Sequence, residues 1–141
     1  MMNEEVRNIM SKNPIVAHPE QTIQQIYEIM KSNQLQQLCV VSDDNKLLGM
    51  ITAYDLLQAE KSTHNLSKVS EVMTTKVVRI TPKDKVGTAA ELFADKRFKT
   101  LPVVNLQNEL KGVVTAFDVI KCAFREEYPT PILYAEEFAF N

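Results

Sequence analysis

The apolar positions of this chain fall into short runs and helical stripes separated by polar turns. Ile15, Val16 and Ala17 form an apolar run closed by Pro19, after which Ile23, Ile26, Tyr27 and Met30 recur at i, i+3, i+4 and i+7. That spacing predicts a strand followed by an amphipathic helix. Thr22, with Gln25 three residues on, has the form of a capping box and sets the helix start. Leu38 to Val41, a polar turn from Ser42 to Lys46, and Leu47 to Ile51 then read as an antiparallel hairpin. Thr52-Ala53-Tyr54-Asp55-Leu56-Leu57 opens a further helix, so the unit is β-α-β-β-α.

The same unit returns 63 residues later without a gap. Met10 matches Met73, Pro19 matches Pro82, Asn45 matches Asn108, Gly49 matches Gly112, Thr52 matches Thr115 and Asp55 matches Asp118. Over 10–57 against 73–120, twelve of forty-eight residues are identical, and many others exchange one apolar side chain for another. Shared apolar positions at a fixed period report shared core positions. The chain therefore divides into a first copy (1–63), a second copy (64–124) and a C-terminal extension (125–141). Each copy is too small to bury much of a core alone, so the two should fold as one α+β body with pseudo-two-fold symmetry and a cleft along the axis. In the second copy Asp84 is the expected helix cap, Gly87 weakens the first helical turn, and Pro102, which has no N–H, should lie at a strand start or on an edge.

Composition narrows the function. The chain has 141 residues, 45% hydrophobic and 24% charged, with a net charge of −2 spread along it, which argues against a nucleic-acid-binding face. No apolar run spans a bilayer and MMNEEVRNIM is not a secretory leader, so a cytoplasmic protein without membrane contact is expected. Cys39 and Cys122 sit in apolar stretches and should be buried thiols; no metal ligand spacing is present. His18 and His64 read as surface polar residues, and Met10 and Met73 as core or cleft lining. No nucleophile-base pair or Walker-type glycine loop occurs, which gives no catalytic residues and argues against an enzyme. The extension carries Tyr128, Ile132, Leu133, Tyr134, Phe138 and Phe140, and so many apolar side chains should dock on the module or across a dimer.

The chemistry concentrates at Thr52 with Asp55 and Thr115 with Asp118. A Thr at a helix start, with the free N–H groups of the first turn, can hold an anion, helped by the helix dipole. An Asp carboxylate can accept from both hydroxyls of a ribose diol. The same Thr-x-x-Asp pattern also satisfies a plain helix cap.

Each copy carries V-x-x-[IV]-M-[ST] (Val6 to Ser11, Val69 to Thr74), then an apolar strand ending in Val-Val, then G-φ-φ-T-A-φ-D, where φ is apolar. In this paired order the chain resembles a cystathionine-β-synthase-type (CBS) domain pair over about residues 4 to 124. The resemblance implies an adenosyl ligand, AMP, ADP, ATP or S-adenosylmethionine, with no resident cofactor. It places the ribose at Asp55 and Asp118, with Thr52 and Thr115 nearby. Adenine would lie by Ser11 and Ile15, or Thr74 and Val78; Gln36 and Gln37, or Lys99 and Thr100, would approach the phosphates. It also implies a flat homodimer and a regulated protein partner. Because Lys99 has Gln36 as its counterpart, the two clefts should differ; the resemblance puts Lys99 with Asp55, and a pairing within one copy would put it with Asp118. A ligand-free structural or dimerisation module, in which the Thr/Asp pairs only cap helices, is the alternative.

Overall fold

A computed structural model describes residues 2–61, 68–96 and 98–127. A 3₁₀ turn at Val6–Asn8 leads into β1 (Val16–Ala17), α1 (Ile23–Asn33), β2 (Gln37–Val41), β3 (Leu47–Thr52) and α2 (Ala53–Lys61). The second copy has α3 (Val69–Val72), α4 (Val86–Lys96), β4 (Thr100–Val104), β5 (Leu110–Thr115) and α5 (Ala116–Glu127). The α+β tandem repeat is thus present. The capping box of α1 forms as expected: the Gln25 N–H donates to Thr22 Oγ1 at 3.1 Å, and the Thr22 N–H donates to Gln25 Oε1 at 2.8 Å.

β1 runs parallel to β2, which pairs antiparallel with β3, whereas β4 and β5 form a two-stranded sheet. The missing strand has a chemical cause. Pro102 occupies the position of Cys39 in β2, and without an N–H it cannot complete the parallel ladder. What survives is one bridge, Ile80 to Val103, in which the Ile80 N–H donates to Pro102 O at 3.0 Å and the Val104 N–H to Ile80 O at 2.8 Å. Pro102 therefore lies on an edge strand as anticipated, though in its middle.

Asp84 does not cap α4, contrary to expectation. Its carboxylate turns back to accept from the Thr81 N–H at 2.7 Å, and Lys85 precedes the first helical residue. The helix start is capped from elsewhere: the Val86 N–H donates to Glu4 O at 2.8 Å and the Gly87 N–H to Met2 O at 3.1 Å. Backbone carbonyls from the chain's N-terminus thus satisfy two of the helix's free donors. Gly87 permits that approach, because a Cβ there would meet Met2 at 3.3 Å.

The two leading segments are exchanged between the halves. Val6 is fully buried among Ile80, Val86, Ala89, Leu101, Val103, Val114 and Val119 of the second copy. Val69 is fully buried among Ala17, Ile26, Leu38, Val40, Ile51 and Leu56 of the first. Each segment then crosses the last strand of the half that receives it. Ser11 pairs with Val113 through two backbone bonds of 2.9 and 3.0 Å, and Thr74 pairs with Met50 through two of 2.8 and 2.9 Å. The crossings explain the paired glycines: a Cβ on Gly112 would stand 2.6 Å from Ser11 O and 2.9 Å from Met10 Sδ, and one on Gly49 would collide with Thr74 O. Met10 and Met73 pack over these positions, consistent with a lining role.

A third core joins the two sheets, built from Cys39, Val41, Leu47, Met50, Val104 and Leu110. It is closed at the hairpin tips by two asparagines in the left-handed region, Asn45 at φ 66° and Asn108 at φ 64°. Asn45 Nδ2 donates to Leu110 O at 2.8 Å, and Asn108 Nδ2 donates to Leu47 O at 2.9 Å. The Leu47 N–H donates to Asn108 O and the Leu110 N–H to Asn45 O, each at 3.0 Å. His18 is half-buried rather than a free surface residue; its Nδ1 lies 3.1 Å from Val41 O, and its N–H donates to Gln21 Oε1. His64 and the apolar extension from Tyr128 onward lie outside the described residues.

Two outcomes follow from this packing. Gly49→Ala and Gly112→Ala should each lower the unfolding free energy by about 1–3 kcal/mol through overpacking against the crossing backbone. Gly87→Ala should cost less, because its Cβ would meet Met2 at only 3.3–3.4 Å and alanine favours the helix; urea denaturation reads the difference. Cys39 sits in the inter-sheet core, where burial pushes its thiol up to about 12. An aromatic disulfide reagent at pH 8 should leave it unmodified in the native protein and label it only once the halves separate in denaturant.

Candidate functional site

The strands deliver Thr52 and Thr115 to the first residues of α2 and α5, where each forms a reciprocal cap with the Asp three residues on. The Thr52 N–H donates to Asp55 Oδ2 at 2.9 Å, and the Asp55 N–H to Thr52 Oγ1 at 3.1 Å. The second copy repeats this, with the Thr115 N–H donating to Asp118 Oδ2 at 2.9 Å and the Asp118 N–H to Thr115 Oγ1 at 3.2 Å. Capping is therefore a real use of these residues. It uses Oδ2 of each carboxylate, and both aspartates remain partly exposed. A second carboxylate oxygen and a helix N-terminus can still address a ligand carrying hydroxyls or an anion.

The segment exchange brings a leading segment against the strand that precedes each pair. Ser11, paired with Val113, brings the leading segment of the first copy beside the strand that ends at Thr115. Thr74, paired with Met50, does the same for the strand that ends at Thr52. Ser11 and Thr74 are both exposed. Ile15 and Val78, four residues further along each segment, are 45% and 43% exposed although apolar. Matching apolar residues left open in both copies suit a flat apolar ligand surface.

Gln37 stands opposite Thr52 in the β2–β3 ladder and Thr100 opposite Thr115 in the β4–β5 ladder. Gln36 is exposed, and its carbonyl accepts from the Ala53 N–H at 2.9 Å, closing the start of α2. Lys99 is exposed at the foot of β4. By hairpin register it is the neighbour of the Thr115 turn in its own copy, while the crossings link each Thr/Asp pair to the leading segment of the opposite copy.

Asp118 also borders a cavity of about 300 Å³ shared with Glu4, Asn8 and Ile9 from the leading segment and Lys121 and Cys122 of α5. Asn8 and Ile9 did not stand out in the sequence as site residues. Their only signal was membership of the motif that ends in Met10 and Ser11. The fold also gathers Glu4, Cys122 and Glu126, whose potential ligand atoms lie within 4.8 Å of one another. Burial, then Glu126 and Glu4, raise the pKa of the Cys122 thiol, which opposes the thiolate that a metal would require.

A family model described as CBS domain matches twice, over residues 6–62 and 69–125. The chain belongs to the CBS domain family. The CBS pair is 33% identical over 117 residues to homoserine O-acetyltransferase of Methanococcus vannielii, covering 81% of this chain and 24% of that enzyme. The chain spans about a quarter of the length of the curated relatives that it resembles in this way. Among solved structures, CBSX2 in complex with AMP superposes with a TM-score of 0.81 at 24% identity, over 87% of this chain and 98% of that one. The CBS domain pair of the protein MJ0100, in complex with 5′-methylthioadenosine and S-adenosyl-L-methionine, gives 0.76 at 27% identity, over 87% and 98%. No helix among the described residues is long and apolar enough to cross a membrane.

The double duty of the aspartates can be measured without a ligand. Asp55→Ala and Asp118→Ala should each remove a cap and lower ligand-free stability by about 1 kcal/mol. Asp→Ser at either position should restore part of it, as read by the urea midpoint.

Proposed function

We propose that this CBS pair is a regulatory sensor of an adenosyl ligand, of the AMP, ADP, ATP or S-adenosylmethionine class, bound in the clefts between its two copies. One observation carries the reading: at both Thr/Asp pairs a carboxylate caps its helix through one oxygen, and the strand leading to it pairs with an exposed leading segment supplied by the opposite copy. The ribose diol would be taken by Asp55 or Asp118, with Thr52 or Thr115 toward the phosphate. Adenine would lie against Ile15 or Val78, with Ser11 or Thr74 at its edge. Gln36 and Gln37, or Lys99 and Thr100, would face the remainder of the ligand. Support comes from the 27% identical CBS pair that holds two adenosyl compounds. Such a site acts by binding rather than catalysis: ligand joins the halves and shifts a conformational or oligomeric equilibrium that a partner protein reads.

The module's outer helices favour a homodimer. Tyr54 and Leu57 on α2, and Phe117 and Ile120 on α5, occupy matching positions and are 66%, 57%, 64% and 63% exposed. A repeated apolar face of this kind suits a two-fold contact with a second copy. The capping geometry also favours a second reading, a ligand-free structural module, because the caps alone account for conserving both Thr/Asp pairs within the repeat.

Thermal unfolding with AMP, ADP, ATP and S-adenosylmethionine separates the two. Ligand at 100 times its dissociation constant should add about 2.7 kcal/mol. Asp55→Ala and Asp118→Ala, each measured against its own ligand-free baseline, should abolish part of that gain. The two sites should differ in phosphate preference, and combining Lys99→Ala with each Asp variant assigns the lysine: the variant with which its effect on ATP is non-additive shares its cleft. No stabilisation by any of the four compounds would leave the structural reading.

A further inference from the structure

A groove of about 580 Å³ lies between the leading segment and the second hairpin; none of the Thr/Asp residues lines it, and it shares only Asn8 with the cavity beside Asp118. Arg7, Lys12 and Lys111 line it with Asn8, Asn13 and Pro82, and no acidic side chain is among its lining residues. That local composition departs from a chain that carries 18 acidic and 16 basic residues.

Two segments of the chain bring the cations to one groove. The Arg7 N–H donates to Pro82 O at 2.9 Å, anchoring the start of the leading segment on the second copy. After the antiparallel bridge between Ser11 and Val113 the chain bends at Lys12 and Asn13, which line the groove with Lys111. Lys111 lies in β5 at the irregularity where the ladder steps from Gly112 to Leu110. One cation has a partner: Arg7 Nε lies 2.7 Å from Glu5 Oε1. Glu109 lies two residues from Lys111 on β5, and its carboxylate accepts from Asn105 Nδ2 at 2.8 Å.

The repeat supplies a control for whether the fold needs these charges. At the pseudo-symmetric crossing, 63 residues away, Arg7 corresponds to Ser70, Lys12 to Thr75 and Lys111 to Leu48, while Asn8 corresponds to Glu71 and Asn13 to Lys76. The same crossing forms there, with Thr74 on Met50. Three cations converging in one half are therefore not a requirement of the architecture. Grouping like charges costs free energy unless counter-charge arrives.

The geometry points to this groove as a binding site for a small phosphate-bearing polyanion, separate from the two clefts between the copies. Arg7 offers a planar fork suited to phosphate oxygens, the two lysines act as point charges, and Asn8 and Asn13 add amide donors. A diphosphate matches three cations better than a monophosphate does. Free pyrophosphate and the tail of a nucleoside triphosphate share that chemistry.

The test is calorimetry with pyrophosphate, ATP and AMP on the full chain, on Lys12→Gln/Lys111→Gln and on Asp55→Ala/Asp118→Ala. Both lysines are exposed, so the double lysine variant should keep the parent's melting temperature without ligand. Pyrophosphate should bind the parent and the double Asp variant equally and weaken at least tenfold in the lysine variant; added salt should weaken it too. ATP bound by the double Asp variant and lost on lysine substitution identifies a nucleotide tail as the occupant. ATP that fails to bind the double Asp variant while pyrophosphate does identifies the free anion. Absence of pyrophosphate binding to the parent at millimolar concentration overturns the proposal. So does affinity unchanged by the lysine substitutions, or abolished by the aspartate substitutions.

Discussion

The exchange of leading segments is the constraint on which the rest of this structure depends. Val6 completes the core of the second half and Val69 that of the first, so neither half has a closed interior of its own. The exchange requires backbone to pass directly over the last strand of each sheet, and that passage requires a strand position without a Cβ. Gly49 and Gly112 are therefore fixed by contact between the copies. The asparagine pair at the hairpin tips fastens the same interface from the other end, with each amide bonded to a carbonyl of the opposite hairpin.

The proposed function draws on the same geometry. Because each segment crosses to the other half, Ser11 and Thr74 pair with the strands that lead into the opposite copy's Thr/Asp pairs, and a ligand seated there would touch both copies. Binding free energy would then act on the relative placement of the halves, the coordinate a regulatory module needs. The caps formed by Asp55 and Asp118 hold the carboxylates in one orientation, which would limit the ordering cost of the proposed binding.

Symmetry holds in the core and fails outside it. The apolar positions repeat faithfully, yet the second copy replaces a three-stranded sheet by two strands and one bridge, since Pro102 lacks the donor at the place of Cys39. Its helix α4 has no side-chain cap like that of Thr22 and instead uses carbonyls of Met2 and Glu4. The basic groove and Lys99 belong to the leading segment and second copy in the same one-sided way. Core positions are held alike by packing, whereas surfaces are free to diverge toward different ligands.

The sequence alone determined the repeat, the element order and the residues that cap α1, α2 and α5, because these rest on interactions within a few positions of one another. Hydrophobic period and Thr-x-x-Asp or Thr-x-x-Gln spacing record them directly. It also marked Ile15, Val78, Asp55 and Asp118 as candidate ligand residues, through the motifs that carry them. Asp84 misled for a physical reason: its carboxylate found a donor in Thr81, while α4 was capped by a carbonyl about eighty residues away. Tertiary structure alone decided which half each leading segment joins, what crosses the glycines, why Asn45 and Asn108 are asparagine, and how Arg7, Lys12 and Lys111 meet. All of these depend on contacts between residues far apart in the chain, several made by main-chain groups. A peptide N–H or carbonyl is the same at every position and leaves no trace in the sequence of the partner it will find.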